Sequence, residues 1–247
     1  MTADLLTHVL RQGDRALVLS HRLAQWITHA PTLEEDVALA NISLDLLGQA
    51  RHLFTYAGEI EGKGHDEDHF AYWRDAAEFR NPLLVEQPNG DFAVTIARQV
   101  FHDQAALLYW ESMTESTDAT LAALAARARN ETAFHLQHSA GWLIRLGDGT
   151  DESQRRAQAG VDAMWPFTLE LLGADDEGAL RGDGLIGGSI ETAWRAAVAG
   201  TLLEAGLRTP TEADQRAGGI HGTHSEHLEP LLEEMQQLAR AHPGASW

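Results

Sequence analysis

The run from Leu33 to about Ile60, LEEDVALANISLDLLGQARHLFTYAGEI, limits the fold more than any other stretch of the chain. Two apolar rows recur along it at helical spacing. One holds Leu33, Val37, Ala40, Leu44, Leu47, Phe54 and Ala57; the other holds Leu39, Ile42, Leu46 and Leu53. A surface helix carries one apolar stripe, so two rows predict contact with neighbours on most sides. Only a narrow polar stripe is left, made of Asn41, Asp45, Gly48, His52 and Glu59. The expectation is a central helix of an all-helical bundle. Gln49 is out of place there, because it sits on the second apolar row between Leu46 and Leu53. Thr32 is a good N-cap for this helix, and Glu35 three residues later completes a capping box.

The rest of the chain also has helical periodicity. A first helix is expected from about Leu5 to His29, with Gly13-Asp14 as a weak point and Ala30-Pro31-Thr32 as the break after it. A shorter helix covers roughly Asp66 to Phe79. Asn81-Pro82 ends it, and the connector LLVEQPNGD follows, with Pro88-Asn89-Gly90 as a turn. Long helices are expected over about Phe92 to Glu115 and, capped by Asp118, over Ala119 to Leu146. On the latter, Thr132 and His135 fall on the buried face and Glu131 on its flank. Another helix runs from about Glu152 to Leu172, where Pro166 should kink it. A glycine-rich connection (Gly173 to Gly188) leads to helices at about Ser189 to Gly206 and Ser225 to Ala241. No period-2 strand pattern of useful length occurs. The fold class is all-α: a four-helix core with peripheral helices, one domain over residues 1–247.

Composition narrows the chemistry. With no cysteine, disulfides, thiolate-held metals and a thiol nucleophile are excluded. The formal charge of -19 repels nucleic-acid phosphates and anionic membranes. Solubility is the plain meaning of that acidity, and docking onto a basic protein partner is the sharper one. The N-terminal residues have neither a basic n-region nor an apolar h-region. No apolar run approaches the roughly 20 residues of a membrane span. A cytoplasmic protein is expected.

A helical bundle can hold a di-metal carboxylate centre, which needs a Glu from each of two helices and a Glu-x-x-His pair from each of two others. No Glu-x-x-His occurs here. The nearest pair is Glu131 with His135, at i+4. His135 reads as a hydrogen-bonded core histidine, and Asp45 as a buried acid paired with Arg51 or another cation. The histidine-rich run Gly219 to His227 reads as a glycine turn. Thr223 or Ser225 follows as N-cap, with Glu226 in the first helical turn. Gly184 to Gly188 lacks a Lys and a flanking strand, so it is a loop and not a phosphate cradle. No Gly-x-Ser-x-Gly is present. Trp26, Trp73, Trp110, Trp142, Trp165 and Trp194 read as helical core residues. Trp247 is expected to dock on its own chain or on a subunit.

Several long strings together resemble a known family: GDRALVLSHRLAQWITHAP (Gly13 to Pro31), LANISLDLLGQAR (Leu39 to Arg51), LLVEQPNGDFAVTIARQ (Leu83 to Gln99), ETAFHLQHSAGWLIRLGDGTDES (Glu131 to Ser153) and THSEHLEPLLEEMQQL. They are similar to the C subunits of the bacterial multicomponent phenylacetyl-CoA epoxidases, over nearly the whole chain. The resemblance implies a ferritin-like helical fold. It implies a related A subunit that bears a di-iron centre, a reductase subunit that feeds it electrons from NADPH, and oxygen insertion into the ring of phenylacetyl-CoA to give a 1,2-epoxide. The C subunit is the non-catalytic partner in that scheme.

Where the A-type pattern has Asp-Glu-x-Gly-His, this chain has Asp45-Leu46-Leu47-Gly48-Gln49. The metal Glu is thus matched by Leu46 and the metal His by Gln49. The later Glu-x-x-His falls on Thr132 and His135, the first-helix Glu falls near Ala16, and Asp103 matches a fourth acidic position. The resemblance therefore implies a degenerate centre at Ala16, Leu46, Gln49, Asp103, Thr132 and His135, with no catalytic residue, metal or cofactor on this chain and the di-iron on the partner. Expected partners are the A subunit and the other epoxidase subunits, with a homodimer open for the isolated chain, and no nucleic acid or membrane. The competing readings are a stand-alone ferritin-like homo-oligomer and a divergent di-metal oxidase using Asp45, Asp103, Glu131 and His135.

Overall fold

The computed structural model describes residues 2–211 and 214–245, with Asp175 by its backbone alone; Trp247 lies outside the described residues. Among these, every regular element is helical. The α-helices are α1 (Thr2–Ala24), α2 (Leu33–Glu61), α3 (Glu67–Tyr72), α4 (Leu83–Glu86), α5 (Phe92–Met113), α6 (Ala119–Gly147), α7 (Asp151–Met164), α8 (Gly178–Gly182), α9 (Glu191–Glu204) and α10 (Leu228–Ala241). The fold is of the all-α, ferritin-like class. The chain divides into two compact units, Met1–Pro88 with Gly218–Trp247, and Asn89–Ala217. The first division falls in the Pro88-Asn89-Gly90 turn.

The first unit is built on the antiparallel pair α1 and α2. Thr32 caps α2 as expected, its hydroxyl accepting from the Glu35 N–H. The two helices approach closely because small residues line the contact. Ser20 Oγ donates to the Ser43 carbonyl and Ser43 Oγ to the Ser20 carbonyl, each at 2.9 Å. A Cβ on Gly13 would lie 2.5 Å from the Phe54 ring, so only glycine admits that ring. Helix α1 therefore runs unbroken through Gly13-Asp14, which local propensity alone would mark as weak.

Asp14 is fully buried. Its Oδ2 accepts from Arg74 Nη1 at 3.0 Å and from the Arg80 N–H at 2.8 Å, and its Oδ1 accepts from Arg74 Nη2. Arg74 Nε donates to the Phe70 carbonyl at 2.7 Å. The guanidinium lies 4.3 Å from the Phe79 ring centre and 5.4 Å from that of Phe54, within cation–π range. Helix α10 closes over the same segment: Gln236 Nε2 donates to the Ala71 and Arg74 carbonyls, and Arg240 Nη2 to the Arg74 carbonyl. Trp73, just beyond α3, is exposed instead of joining the core.

The two rows of α2 have different fates. Leu39, Ile42, Leu46 and Leu53 are buried, together with Gln49, Phe54 and Ala57. Leu33, Val37, Leu44 and Leu47 are exposed. The expected contact on most sides is thus absent along the first half of α2, because nothing among the described residues covers that row.

The second unit is built on α5 and α6, joined by a short link in which Asp118 Oδ1 caps α6 through the Thr120 and Leu121 N–H groups, both at 3.0 Å. Helix α7 ends at Met164, whereas periodicity predicts a kinked helix to Leu172. Pro166 has no N–H and stops the α-helix, and the chain continues as 3-10 turns over Trp165–Phe167 and Leu169–Leu172. Phe101, Trp165 and Trp194 pack ring against ring with centroids 5.6–6.0 Å apart. Trp194 Nε1 donates to the Phe101 carbonyl at 3.0 Å. Trp26 and Trp142 are only half-buried.

Removing one partner of a buried ion pair leaves the other charge uncompensated, at about 3–5 kcal/mol. Asp14→Ala should therefore destabilise the chain by about that amount in urea titration; a loss below about 1 kcal/mol would show that Arg74 is held by its aromatic and carbonyl contacts instead.

Candidate functional site

The six positions that the resemblance matches to metal ligands fall on four helices, and each is buried. Ala16 is on α1, and Leu46 and Gln49 are on α2, in the first unit. Asp103 on α5, with Thr132 and His135 on α6, belongs to the second. Burial of Gln49, only 4% exposed, follows from helix geometry: it shares the inward side of α2 with Leu39, Ile42, Leu46 and Leu53.

In the second unit Asp103 sits at the α5–α6 contact. Its Oδ2 accepts from Ser139 Oγ at 2.8 Å and its Oδ1 from His102 Nδ1–H at 3.1 Å. His135 and Thr132 lie one and two turns before Ser139 on the same buried face of α6. A buried carboxylate must be satisfied, and here each oxygen already accepts an internal donor. Neither His102 nor Ser139 is among the candidates that the sequence alone suggests. His102 adjoins Asp103, and Ser139 lies one turn beyond His135, so helical spacing is the signal that could have found both.

The residues present do not fit a di-iron centre. Leu46 and Ala16 offer no donor atom. Gln49 and Thr132 offer neutral oxygens, which are poor substitutes for the carboxylates and imidazoles such a centre uses. Among the described residues no group of three or more His, Asp or Glu is placed to hold a metal ion. Glu131 pairs with Arg127 at 2.8 Å. Asp45 is half-buried, and Arg51, one expected partner for it, pairs with Glu67 at 2.9 Å.

The histidine-rich run takes another role. Helix α10 begins at Leu228 with His227 at the N-cap and no side-chain cap, so neither Thr223 nor Ser225 caps it. His224 instead enters the interior of the first unit. Its Nδ1–H donates to Glu86 Oε2 at 2.8 Å and its Nε2–H to the Phe79 carbonyl at 3.0 Å. Both ring nitrogens face acceptors, an arrangement that only the imidazolium satisfies. Glu86 is fully buried. It also accepts from Asn81 Nδ2 at 3.0 Å and the Ser225 N–H at 2.6 Å. Arg22 donates to the Glu86 and His227 carbonyls. This cluster clamps the C-terminal segment onto the LLVEQPNG stretch. Periodicity could not find it, because Glu86 lies in what reads as a connector. Burial alone would lower the His224 pKa, and is the largest single influence. The Glu86 and Phe79 hydrogen bonds and the Glu86 and Asp14 charges outweigh it, so the pKa is raised.

Fold and side chains together define a helical-bundle protein in which Ala16, Leu46, Gln49 and Thr132, four of the six positions matched by the resemblance, carry neither a carboxylate nor an imidazole. The whole chain, residues 1–247, matches the family model described as "Phenylacetic acid catabolic protein" (PaaA_PaaC), and the chain belongs to that family. It is 49% identical over 247 residues, 99% of either chain, to a curated protein of Escherichia coli (strain K12) named as the C subunit of 1,2-phenylacetyl-CoA epoxidase. Among the described residues no helix is long and apolar enough to cross a membrane.

The raised His224 pKa fixes a sign. Its contribution is complete below the ordinary histidine value of about 6.5 and is lost as pH rises through the folded-state pKa. The melting-temperature difference between wild type and His224→Ala should be largest near pH 6 and shrink on the alkaline side. A difference independent of pH would show that His224 acts by packing alone.

Proposed function

We propose that the chain is a non-catalytic structural subunit of a phenylacetyl-CoA 1,2-epoxidase complex in aerobic phenylacetate degradation, and that it pairs with a related A subunit that bears the di-iron centre. The relative named as the C subunit of that epoxidase, similar over 99% of both chains, supports the assignment. The observation that carries the division of labour is the donor chemistry at Ala16, Leu46, Gln49 and Thr132. A chain with these side chains buried at the metal positions cannot supply the carboxylates that bridge and balance two ferrous or ferric ions. Its contribution is then mechanical: helix faces that hold the catalytic subunit in its working geometry. The same reading places the di-iron, and the oxygen chemistry it supplies, on the partner.

Purified alone, the chain should bind no stoichiometric iron by elemental analysis and form no epoxide; two irons per chain would overturn the proposal. Co-expressed with the A subunit it should form a stable complex burying more than about 2,000 Å², the range of obligate interfaces. Omitting it should leave the A subunit insoluble or inactive.

A further inference from the structure

The joint between α2 and α3 holds two histidines that the proposed function does not use. His65 and His69 stack face to face, with ring centres 3.5 Å apart and planes 5° from parallel. Phe70 meets both rings edge-on. Two neutral rings, or one charged and one neutral, can share a face in this way. Two imidazolium rings repel across it.

His65 is fixed at both its backbone and its ring. A Cβ on Gly58 of α2 would lie 2.2 Å from the His65 carbonyl oxygen, so the two backbones are in direct contact. The His65 Nδ1–H donates to Glu61 Oε2 at 2.5 Å, and Lys63 Nζ donates to Glu61 Oε1 at 3.0 Å. Burial alone would raise the Glu61 pKa; the hydrogen bonds and charges of Lys63 and His65 outweigh it, so the pKa is lowered and the carboxylate stays charged in mild acid. Between Glu61 and His65 the chain turns through Gly62 and Gly64, at φ 69° and 81°, a region that glycine enters at no steric cost.

His69 is held differently. Its N–H donates to the α3 cap Asp66 Oδ1 at 2.9 Å, while its ring nitrogens make no hydrogen bond among the described residues. The ring borders a cavity of about 250 Å³. Helix α1 contributes Thr7 and Leu10 to the wall, and neither titrates. The charged groups on it are Glu61, Arg74, Glu78 and Arg80. Asp14 balances Arg74, and Lys63 balances Glu61. Arg80 Nη1 is turned to the Ala77 and Phe79 carbonyls, both at 2.7 Å. Glu78 Oε2 accepts from the Asp75 N–H at 2.8 Å. On the α10 side Gln236 is neutral, and Asp75 balances Arg240. The cavity thus offers the His69 ring a second place, near the Glu78 carboxylate and away from His65.

We propose that His65 and His69 form a proton-operated latch on the joint between α2 and α3. With at most one ring charged, the stack is closed and ties α3 to the end of α2. A second proton, taken from solvent by the His69 ring, opens it: the ring turns into the cavity toward Glu78, and Gly62-Lys63-Gly64 absorbs the movement. Two discrete places for one ring, chosen by its charge, are what a pH-sensitive element requires. The direction is set by the surroundings of His69. Burial lowers its pKa, the charges of His65 and Arg74 lower it further, and Glu61 and Asp66 offset only part of this. The contribution of the closed stack is therefore complete above the ordinary histidine value of about 6.5 and is lost as pH falls through the folded-state pKa. That sign is opposite to the one for His224, so one titration separates the two.

The test is amide hydrogen exchange on the full chain at about pH 8 and about pH 5.5, on either side of the ordinary histidine value, corrected for the intrinsic pH dependence of exchange. Amides of residues 62–69 should exchange at least about sevenfold faster in acid, the factor by which two unit charges 3.5 Å apart bias an equilibrium in bulk water. The rest of α1 and α2 should not follow. His69→Phe keeps a ring on the stack and removes its proton site, so the corrected rates should be equal at the two pH values. His65→Phe removes the other charge and should behave in the same way, which keeps the test decisive if one variant folds poorly. By NMR, ring-to-ring contacts between His65 and His69 at about pH 8 should give way at about pH 5.5 to contacts of the His69 ring with Thr7 and Leu10. Equal acceleration in wild type and variants, acceleration spread over the whole chain, or a stack still intact in acid would overturn the latch.

Discussion

A carboxylate inside a helical interior is costly unless its oxygens are paired, and Asp14 meets that demand with groups far along the chain. Arg74 supplies two donors and the Arg80 N–H a third. Arg74 can do so only while the segment from Phe70 to Arg80 lies against α1. That segment is held from its other side by Gln236 and Arg240 of α10. The charge on one α1 residue thus fixes the place of a segment 60 positions later and, through it, of the C-terminal helix. The Ser20–Ser43 bonds and the Gly13–Phe54 contact fix how α2 lies on α1. Once this is set, which side of α2 faces inward is no longer free.

The second unit applies the same rule at Asp103. Its partners are His102, its neighbour on α5, and Ser139, 36 positions later on α6, and the second ties α5 to α6. In a metal-bearing bundle, inward carboxylates balance cations. Here the inward acids, Asp14, Glu86 and Asp103, are balanced by an arginine, a protonated histidine or neutral donors of the chain itself. Such a polar interior is compatible with a folded chain provided every member is satisfied.

Elements whose cause is local are legible in the amino-acid sequence. The bounds of α2, the Thr32 and Asp118 caps, and the burial of Thr132 and His135 follow from periodicity and capping chemistry within a few residues. The errors come from causes that act at a distance. Gly13-Asp14 looks like a helix defect until Phe54 and Arg74 are placed against it. Glu86 looks like connector polarity until His224 arrives from the far end of the chain. Leu33, Val37, Leu44 and Leu47 look like core, because an apolar row reads the same whether its cover lies in the chain or in another molecule. Pro166 marks the right place for a break but not its extent, since proline removes the donor and the residues after it decide whether the helix resumes. At the degenerate centre the identity of each residue is plain from the sequence. The hydrogen bonds that satisfy Asp103 are not.

The two sides of α2 divide its work. Residues advance about 100° per step around an α-helix, so Leu39, Ile42, Leu46, Gln49 and Leu53 share one side, and Leu33, Val37, Ala40, Leu44 and Leu47 lie opposite. The inward side carries the two positions where the resemblance expects a metal glutamate and a metal histidine. The outward side carries the exposed apolar row. A metal on the inward side would tie the register of α2 to ligand geometry. With Leu46 and Gln49 in those places, the register is set by packing and by the Ser20–Ser43 and Phe54–Gly13 contacts alone. Those contacts leave Leu33, Val37, Leu44 and Leu47 facing outward. The buried row and the exposed row are thus complementary features of one helix, the first fixed by contacts within the chain and the second left facing outward.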